Sequence, residues 1–525
     1  MIYVKKLGKL WSFLKKTYIL IFVLSNFIIS NFLFNIIQIK KNNLKKIKSK
    51  KNRDIEFAKD KLQLKIGYDF DLKEDVYIEE SGLYQNFLIT GTIGSGKTSS
   101  AMYPFTSQLM EFNSNNLDNK IGMLILDVKG NYYKQVKEYA KKYNLIDDLI
   151  VIELNSKFKY NPLDKPNLKP IVLANRLKTI LELFSENNQE SYWLDKAEQI
   201  LAEAIKLCRL YNNGYVTFEE IHKLVTNHDY YKEKINTLRN LFVASKLNFE
   251  QIYELNTALE FFQKEFESLD DRTLSILKSE ITRITNNFVS DYSVLKTFCP
   301  KKEELGFMGF EEVLNKGKIV VLNMNIAEYR NLSKIIAAYL KLDFQTEIMM
   351  NLSKNKAKRS AFICDEYAEY VTKTDSDFFS LSREAKCINI VSTQSYSSIK
   401  KTLKDETATK VICQNLINKI WFRTDDIFTI EEAQKQLGKE EKEKTSKNIS
   451  ESAKHTKYSF LTKNLINKDS TISESYNMYT QSDYIYDTNS FTQDLQTFTT
   501  ICFLSNGNKI LKPKKMGMYP YFKNK

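Results

Sequence analysis

The sequence predicts an α/β protein with a mainly parallel sheet, an inserted all-α domain and one N-terminal transmembrane helix. Three observations predict it. Gly91-Thr92-Ile93-Gly94-Ser95-Gly96-Lys97-Thr98 fits the phosphate-binding pattern G-x-x-x-x-G-K-[ST]. Apolar runs rich in Ile, Val and Leu recur at 87–90, 123–126, 149–154, 319–324, 361–364, 388–392 and 419–422. Such runs suit strands buried on both faces. Between the third and fourth runs, residues 171–299 contain no proline and a single glycine, Gly214.

The chain begins with a basic, apolar segment. Residues 18–39 are uncharged and rich in Ile, Leu and Phe, long enough to cross a bilayer as a helix. Lys5, Lys6, Lys9, Lys15 and Lys16 precede this stretch; a larger cluster from Lys40 to Arg53 follows it. The positive-inside rule then puts residues 40–525 in the cytoplasm. Its length, and the lack of a small-residue cleavage site after it, argue against a secretory signal. The expectation for 1–53 is a membrane anchor with basic flanks, making a single-pass protein of the cell membrane.

Charge is informative by its distribution. The whole chain carries +14, but residues 1–53 hold thirteen Lys and Arg and no acidic group. The rest is nearly neutral, at +1. The excess belongs to the N-terminal segment, so a nucleic-acid site in the body would have to be a local patch.

Residues 54–170 are expected to form the first part of a nucleotide-binding domain, with 54–85 a short approach to the first core strand. A strand at 87–90 and a helix opening at Ser99 give the loop the context that its chemistry requires. Its glycines let backbone N–H groups face phosphates, and the helix N-terminus adds a favourable dipole. Residues Gly91 through Thr98, with Ser99, are the candidate nucleotide-binding set. Lys97 would reach the β- and γ-phosphate oxygens of ATP, and the Thr98 hydroxyl would ligate Mg²⁺.

Residues 171–300 read as a separate all-α domain. Leu173, Leu177, Ile180, Leu181 and Phe184 follow helical spacing, as do Trp193, Ala197, Ile200, Leu201, Ala204 and Ile205.

Residues 301–438 supply the second half of the nucleotide site. Phe362-Ile363-Cys364-Asp365-Glu366 is an apolar run ending in two carboxylates. Asp365 is the candidate Mg²⁺ ligand, and Glu366 the group that orients and deprotonates the attacking water. Thr393-Gln394-Ser395 ends a later strand, at the edge where a parallel sheet places its ligands. Gln394 is the candidate for sensing the γ-phosphate or positioning water. Arg383, placed in the helix between these strands, is a candidate arginine finger toward a neighbouring subunit or a surface ion pair. Arg423 is a second candidate with the same two readings.

After Leu437-Gly438 the composition turns polar, and 439–490 are expected to be a mobile or weakly folded insertion. Within 491–525, residues 498–504 read as a strand, Asn506-Gly507 as a turn and 509–512 as a return strand. The six cysteines form no C-x-x-C pair and the three histidines are far apart, so no metal-site spacing is present.

These motifs, in this order, resemble the TraG/TraD-type coupling proteins of type IV secretion and conjugation. Leu126-Asp127-Val128-Lys129-Gly130 is similar to the family's D-P-K-G segment, with Val128 in place of proline. Tyr160-Asn161-Pro162-Leu163-Asp164 resembles its N-P-L segment, and Asp365-Glu366-Tyr367-Ala368 its D-E-F-A. Ser382-Arg383 and Thr393-Gln394-Ser395 resemble its S-R and T-Q-S segments. The resemblance covers residues 80–437 and 495–521. It implies a RecA-like, ring-forming (hexameric) ATP hydrolase that takes a relaxase–DNA complex, with single-stranded DNA, or a protein cargo into a type IV secretion channel. It also implies that the all-α domain recognises substrate. Many members have two N-terminal spans, whereas 18–39 allow one. Two alternatives stay open: a DNA-pumping motor of the FtsK/HerA sort, and a nucleotide-binding membrane receptor that gathers substrate without moving it.

Overall fold

The computed structural model describes residues 61–184, 191–243, 247–452, 457–458, 465–466 and 471–524. The chain divides into two units, Met1–Leu62 and Gln63–Lys525.

The second unit is built on strands β1 (Gln63–Asp69), β2 (Glu74–Glu79), β3 (Phe87–Thr90), β4 (Gly122–Leu126), β5 (Leu149–Ile152), β6 (Ile319–Leu322), β7 (Ser360–Cys364), β8 (Cys387–Thr393), β9 (Asn418–Trp421), β10 (Lys439–Ser452), β11 (Lys457–Tyr458), β12 (Leu465–Ile466), β13 (Thr471–Tyr484), β14 (Thr499–Phe503) and β15 (Lys514–Gly517). Eleven of them form one mixed sheet, in the order β2-β1-β15-β14-β9-β3-β8-β7-β4-β6-β5. From β9 to β5 every neighbouring pair is parallel; from β9 outward through β14, β15, β1 and β2 every pair is antiparallel. Every residue of β3, β4, β6, β7, β8 and β9 is buried. Continuous apolar runs, rather than alternating ones, are the signature of that double coverage.

Register decides what the sheet brings together. Thr90 pairs with Thr393 on one side and Trp421 on the other, and Leu126 pairs with Cys364. The carboxyl ends of β3, β8, β9, β4 and β7 therefore share one edge, and the residues that follow them (Gly91, Gln394, Phe422, Asp127 and Asp365) meet there. Residues far apart in sequence become neighbours through strand pairing alone.

Between β5 and β6 the described chain is helical, from Pro170–Glu182 through Ser191–Tyr211, Phe218–Thr226, His228–Val243, Phe249–Glu260 and Asp271–Val289 to Tyr292–Phe298. The starts are sequence-encoded. Thr217 with Glu220, and Asn248 with Gln251, form reciprocal capping boxes. Phe218 stacks on Phe288 at 4.0 Å, and one buried cluster runs from Leu201 and Ile281 through Tyr339 to Phe362 and Val391 of the sheet. Each such side chain contributes about 1.5–3 kcal/mol on burial. Asp343, on the helix Ile326–Ser353, fastens the junction: it accepts from Arg176 at 3.0 Å and from Tyr160 at 2.8 Å, and pairs with Lys165 at 2.7 Å.

Four expectations change. Residues 54–85 hold two antiparallel strands, β1 and β2, rather than only an approach. The return strand is β15, displaced from 509–512; in its place Ile510 makes a single bridge to Ser505. The polar stretch after Gly438 folds into an antiparallel ribbon of β10 and β13, with a small bridge between β11 and β12. A ladder of backbone hydrogen bonds joins the two strands, and Lys444, opposite Tyr479, reaches diagonally along the ribbon to pair with Asp483 at 2.5 Å. The fourth change is a correction of the single-pass membrane assignment. Among the described residues no helix is long and apolar enough to cross a membrane, and the expected span, 18–39, lies outside them.

Candidate functional site

The loop leaves β3 at Gly91 and returns to helix at Thr98. Gly91 and Gly96 have φ of +156° and +106°; a Cβ on Gly91 would lie 2.5 Å from Phe422 Cβ, and one on Gly96 2.6 Å from Phe498 Cδ1. Both positions thus require glycine for conformation and for space. Neighbouring strands pin the loop: Gly91 N–H donates to the Gln394 carbonyl at 3.2 Å, and Thr92 N–H to that of Arg423 at 2.8 Å. The helix begins with a wide π turn, Thr98–Met102, then continues as Tyr103–Asn115. π turns concentrate at functional sites.

Lys97 lies inside this curl, 6% exposed. Its Nζ donates to the Gly91 carbonyl at 2.6 Å and to that of Thr92 at 3.3 Å. Burial pushes its pKa below the ordinary lysine value, against the pull of Glu366 and Asp365. A buried cation held by neutral carbonyls is well suited to an anion entering the loop.

Asp365 stands opposite, 1% exposed at the end of β7. Its Oδ2 accepts from Thr98 Oγ1 at 2.7 Å, and its Oδ1 from Ser392 Oγ and from Glu366 N–H at 3.2 Å. The Thr98 hydroxyl and a carboxylate, both hard oxygen donors, fit a magnesium ion. Glu366 adopts a left-handed backbone, φ +54°, a conformation costing a non-glycine residue about 1–2 kcal/mol. It begins the tight turn Tyr367–Glu369. Its Oε1 pairs with Lys129 Nζ at 3.2 Å. For Lys129, burial alone would lower the pKa, but Glu366, Asp365 and Asp127 outweigh it and the net shift is upward.

The segment after β4 completes the edge. Asp127 accepts backbone N–H bonds from Lys129 at 3.0 Å, Asn131 at 2.9 Å and Tyr132 at 3.1 Å. It organises the turn that opens the helix Tyr132–Lys142 and carries Lys129 toward Glu366. Burial pushes its pKa up, countered by those amides.

The remaining candidates separate. Gln394 and Arg423 are exposed and share a polar cavity of about 820 Å³ on the outer side of the loop, with Thr92, Ile93, Asp425 and Asp426. Arg383 is also exposed, but it lies just beyond the helix Asp375–Leu381 rather than within it. It sits at the amino ends of the strands: its neighbour Ser382 donates to Asn86 Oδ1 at 3.1 Å, just before β3. In its own chain Arg383 is therefore at the opposite edge of the sheet from the loop.

Two further contributors have roles that no sequence motif discloses. Ser392 precedes the T-Q-S segment, and only strand register shows that its hydroxyl meets Asp365. Lys129 belongs to the segment after β4, whose pattern does not reveal the pairing with Glu366. Among the described residues no cluster of three or more Cys, His, Asp or Glu forms a metal-ion site.

A glycine-shaped loop with a buried lysine, faced by a strand-end carboxylate on a mostly parallel sheet, defines a P-loop protein of the α/β class. Residues 76–479 match the family described as the type IV secretion-system coupling protein DNA-binding domain, and the chain belongs to that family. Solved structures of one plasmid coupling protein, TrwB, share the fold. Its sulphate complex superposes with a TM-score of 0.57 at 12% identity, covering 87% of this chain and 94% of that one. Its complex with ADP and Mg²⁺ gives 0.54 at 13% identity, covering 84% and 87%. Its complex with the ATP analogue ADPNP gives 0.53 at 12% identity, covering 83% and 86%. No curated protein matches the chain in sequence.

Proposed function

We propose that this coupling protein binds ATP with Mg²⁺ in the loop 91–98 and uses its hydrolysis to drive DNA transfer. The observation that carries the reading is the meeting of Thr98 and Asp365 across the strand ends, with Lys97 buried beside them. TrwB, of the same fold, has been solved with ADP and Mg²⁺ and with ADPNP. Lys97 would leave its carbonyl partners for the β- and γ-phosphate oxygens. Thr98 and Asp365 would hold Mg²⁺, which when bound supplies charge neutralisation at the phosphates. Glu366 would accept the proton of the attacking water, and its left-handed backbone sets its direction. Gln394 would sense the terminal phosphate from the outer cavity. Arg423, exposed beside Thr92 and Gln394, is better placed than Arg383 to act on charge near the loop.

The all-α segment between β5 and β6 would recognise the cargo, a relaxase joined to single-stranded DNA or a protein. Six copies in a ring would pass it to the secretion channel. The test is ATPase activity of the purified protein with and without single-stranded DNA. Lys97→Ala is expected to abolish nucleotide binding. Wild-type hydrolysis by that variant would overturn the site.

A further inference from the structure

We propose that Phe498 and Phe522 form an aromatic platform for the base of the bound nucleoside triphosphate. The proposal rests on the nucleotide-site reading and extends it to a part of the ligand that the loop does not touch.

Phe498 is built into the loop's wall. Its N–H donates to the Ser95 carbonyl at 3.2 Å, and its own carbonyl accepts from Met518 N–H at 2.7 Å. Its backbone is left-handed, φ +67°, an uncommon state for a bulky residue. That geometry lays the ring over Gly96: a Cβ there would meet Cδ1 at 2.6 Å and Cε1 at 2.9 Å. Phe522 meets Phe498 edge-on, centroids 6.0 Å apart and planes at 67°. Tyr521 packs between Phe522, at 5.5 Å, and Tyr103, at 5.2 Å. The short turn Tyr521–Asn524 thereby lies against Thr98–Met102, where the helix opens.

The placement matters because of how a triphosphate threads such a loop. Its terminal phosphates lie toward Lys97 and the carboxylates, and the chain exits past Thr98 and Ser99 at the helix start. Sugar and base therefore emerge beside the Tyr521–Asn524 turn. The other flank of the loop, at Gln394 and Arg423, is polar and carries Asp425 and Asp426, a poor surface for an aromatic base. Phe522 is 47% exposed although its neighbours pack closely, so one ring remains open to a further partner. Any base has a π face, so such a platform grips without reading the base edge.

The experiment compares two ligands on the full chain. The Kd of Mg-ATP and of Mg-tripolyphosphate, which lacks sugar and base, is measured by calorimetry for wild type, Phe522→Ala, Phe522→Trp and Lys97→Ala. The platform predicts that Phe522→Ala weakens ATP roughly tenfold and leaves tripolyphosphate unchanged, while Phe522→Trp restores ATP binding. Equal weakening of both ligands would show that the segment only shapes the loop, and unchanged ATP affinity would show that the ring is idle; either overturns the proposal. Lys97→Ala separates the two claims. Loss of both ligands upholds the phosphate site independently of the platform; no loss of either overturns the site and the platform with it.

Discussion

Thr98 Oγ1 and Asp365 Oδ2 lie 2.7 Å apart across 267 residues of sequence. The contact exists because β3 and β7 flank β8 in the parallel part of the sheet, each ending at the same edge. It ties the phosphate loop to the carboxylate strand through atoms that suit a shared divalent ion. Thr98→Val keeps the shape and removes the hydroxyl. It should raise the Mg²⁺ concentration needed for half-maximal hydrolysis by about ten- to a hundredfold, with little change in unfolding temperature. A wild-type Mg²⁺ titration would remove Thr98 from the metal site.

Glu366 offers a cleaner separation of binding from chemistry. Glu366→Gln preserves size and the left-handed turn but cannot take a proton. Hydrolysis should fall by roughly 10²–10⁴-fold, while the Kd for ATP stays within about a factor of three. Lys129, whose pairing with Glu366 is weakened by the change, is 57% exposed and can turn to water. A parallel rise in Kd would mean that Glu366 binds ATP rather than acting on water.

Much of the sheet was legible because a buried parallel strand has an unmistakable pattern. The run 87–90 matched β3 residue for residue, and 361–364 matched β7 to within one residue. Helical spacing likewise exposed the long interval between β5 and β6. What escaped were features without an apolar signature. β2 is a half-exposed edge strand, Glu74–Glu79, and its alternation is weak. The ribbon of β10 and β13 is built from a polar sequence and is specified by pairing. Within the site, Lys97, Asp365 and Glu366 could be named from motif chemistry. Ser392 and the turn built on Asp127 could not, because their roles depend on strand register and backbone amides.

The junction at Asp343 predicts an acid-sensitive coupling. Burial alone would raise this carboxyl's pKa, but Lys165, Arg176 and Tyr160 hold it below the usual range. A depressed folded-state pKa contributes stability above the unfolded value of about 3.9, and that contribution is lost as pH falls through the folded one. Asp343→Asn should therefore destabilise by about 3–5 kcal/mol near neutral pH, since Arg176 and Lys165 lose their counter-ion. The gap to wild type should close below about pH 3.9. Urea midpoints measured from about pH 3 to 7 check this; a pH-independent gap would assign the loss to packing.

The buried pair Lys341–Asp375 connects that same helix to the segment just after Glu366. Lys341 Nζ donates to both Asp375 oxygens, at 2.8 and 2.7 Å, to the Tyr370 carbonyl at 2.7 Å and to Thr372 Oγ1 at 2.9 Å. Tyr367, next to Glu366 in the chain, donates to Asp375 at 2.5 Å. Burial pushes Lys341 below the ordinary lysine value even against the pull of Asp375, so neither charge tolerates losing the other. Lys341→Met or Asp375→Leu alone should cost about 3–5 kcal/mol. The double variant should be closer to wild type than either single change, with a coupling of about 2 kcal/mol or more. Yet Tyr367 would lose its acceptor, so in the double variant kcat should fall while KM for ATP holds. Additive stabilities in a urea-unfolding cycle would show that the two charges do not depend on each other. Unchanged kcat would show that the turn at Glu366 holds its shape without them.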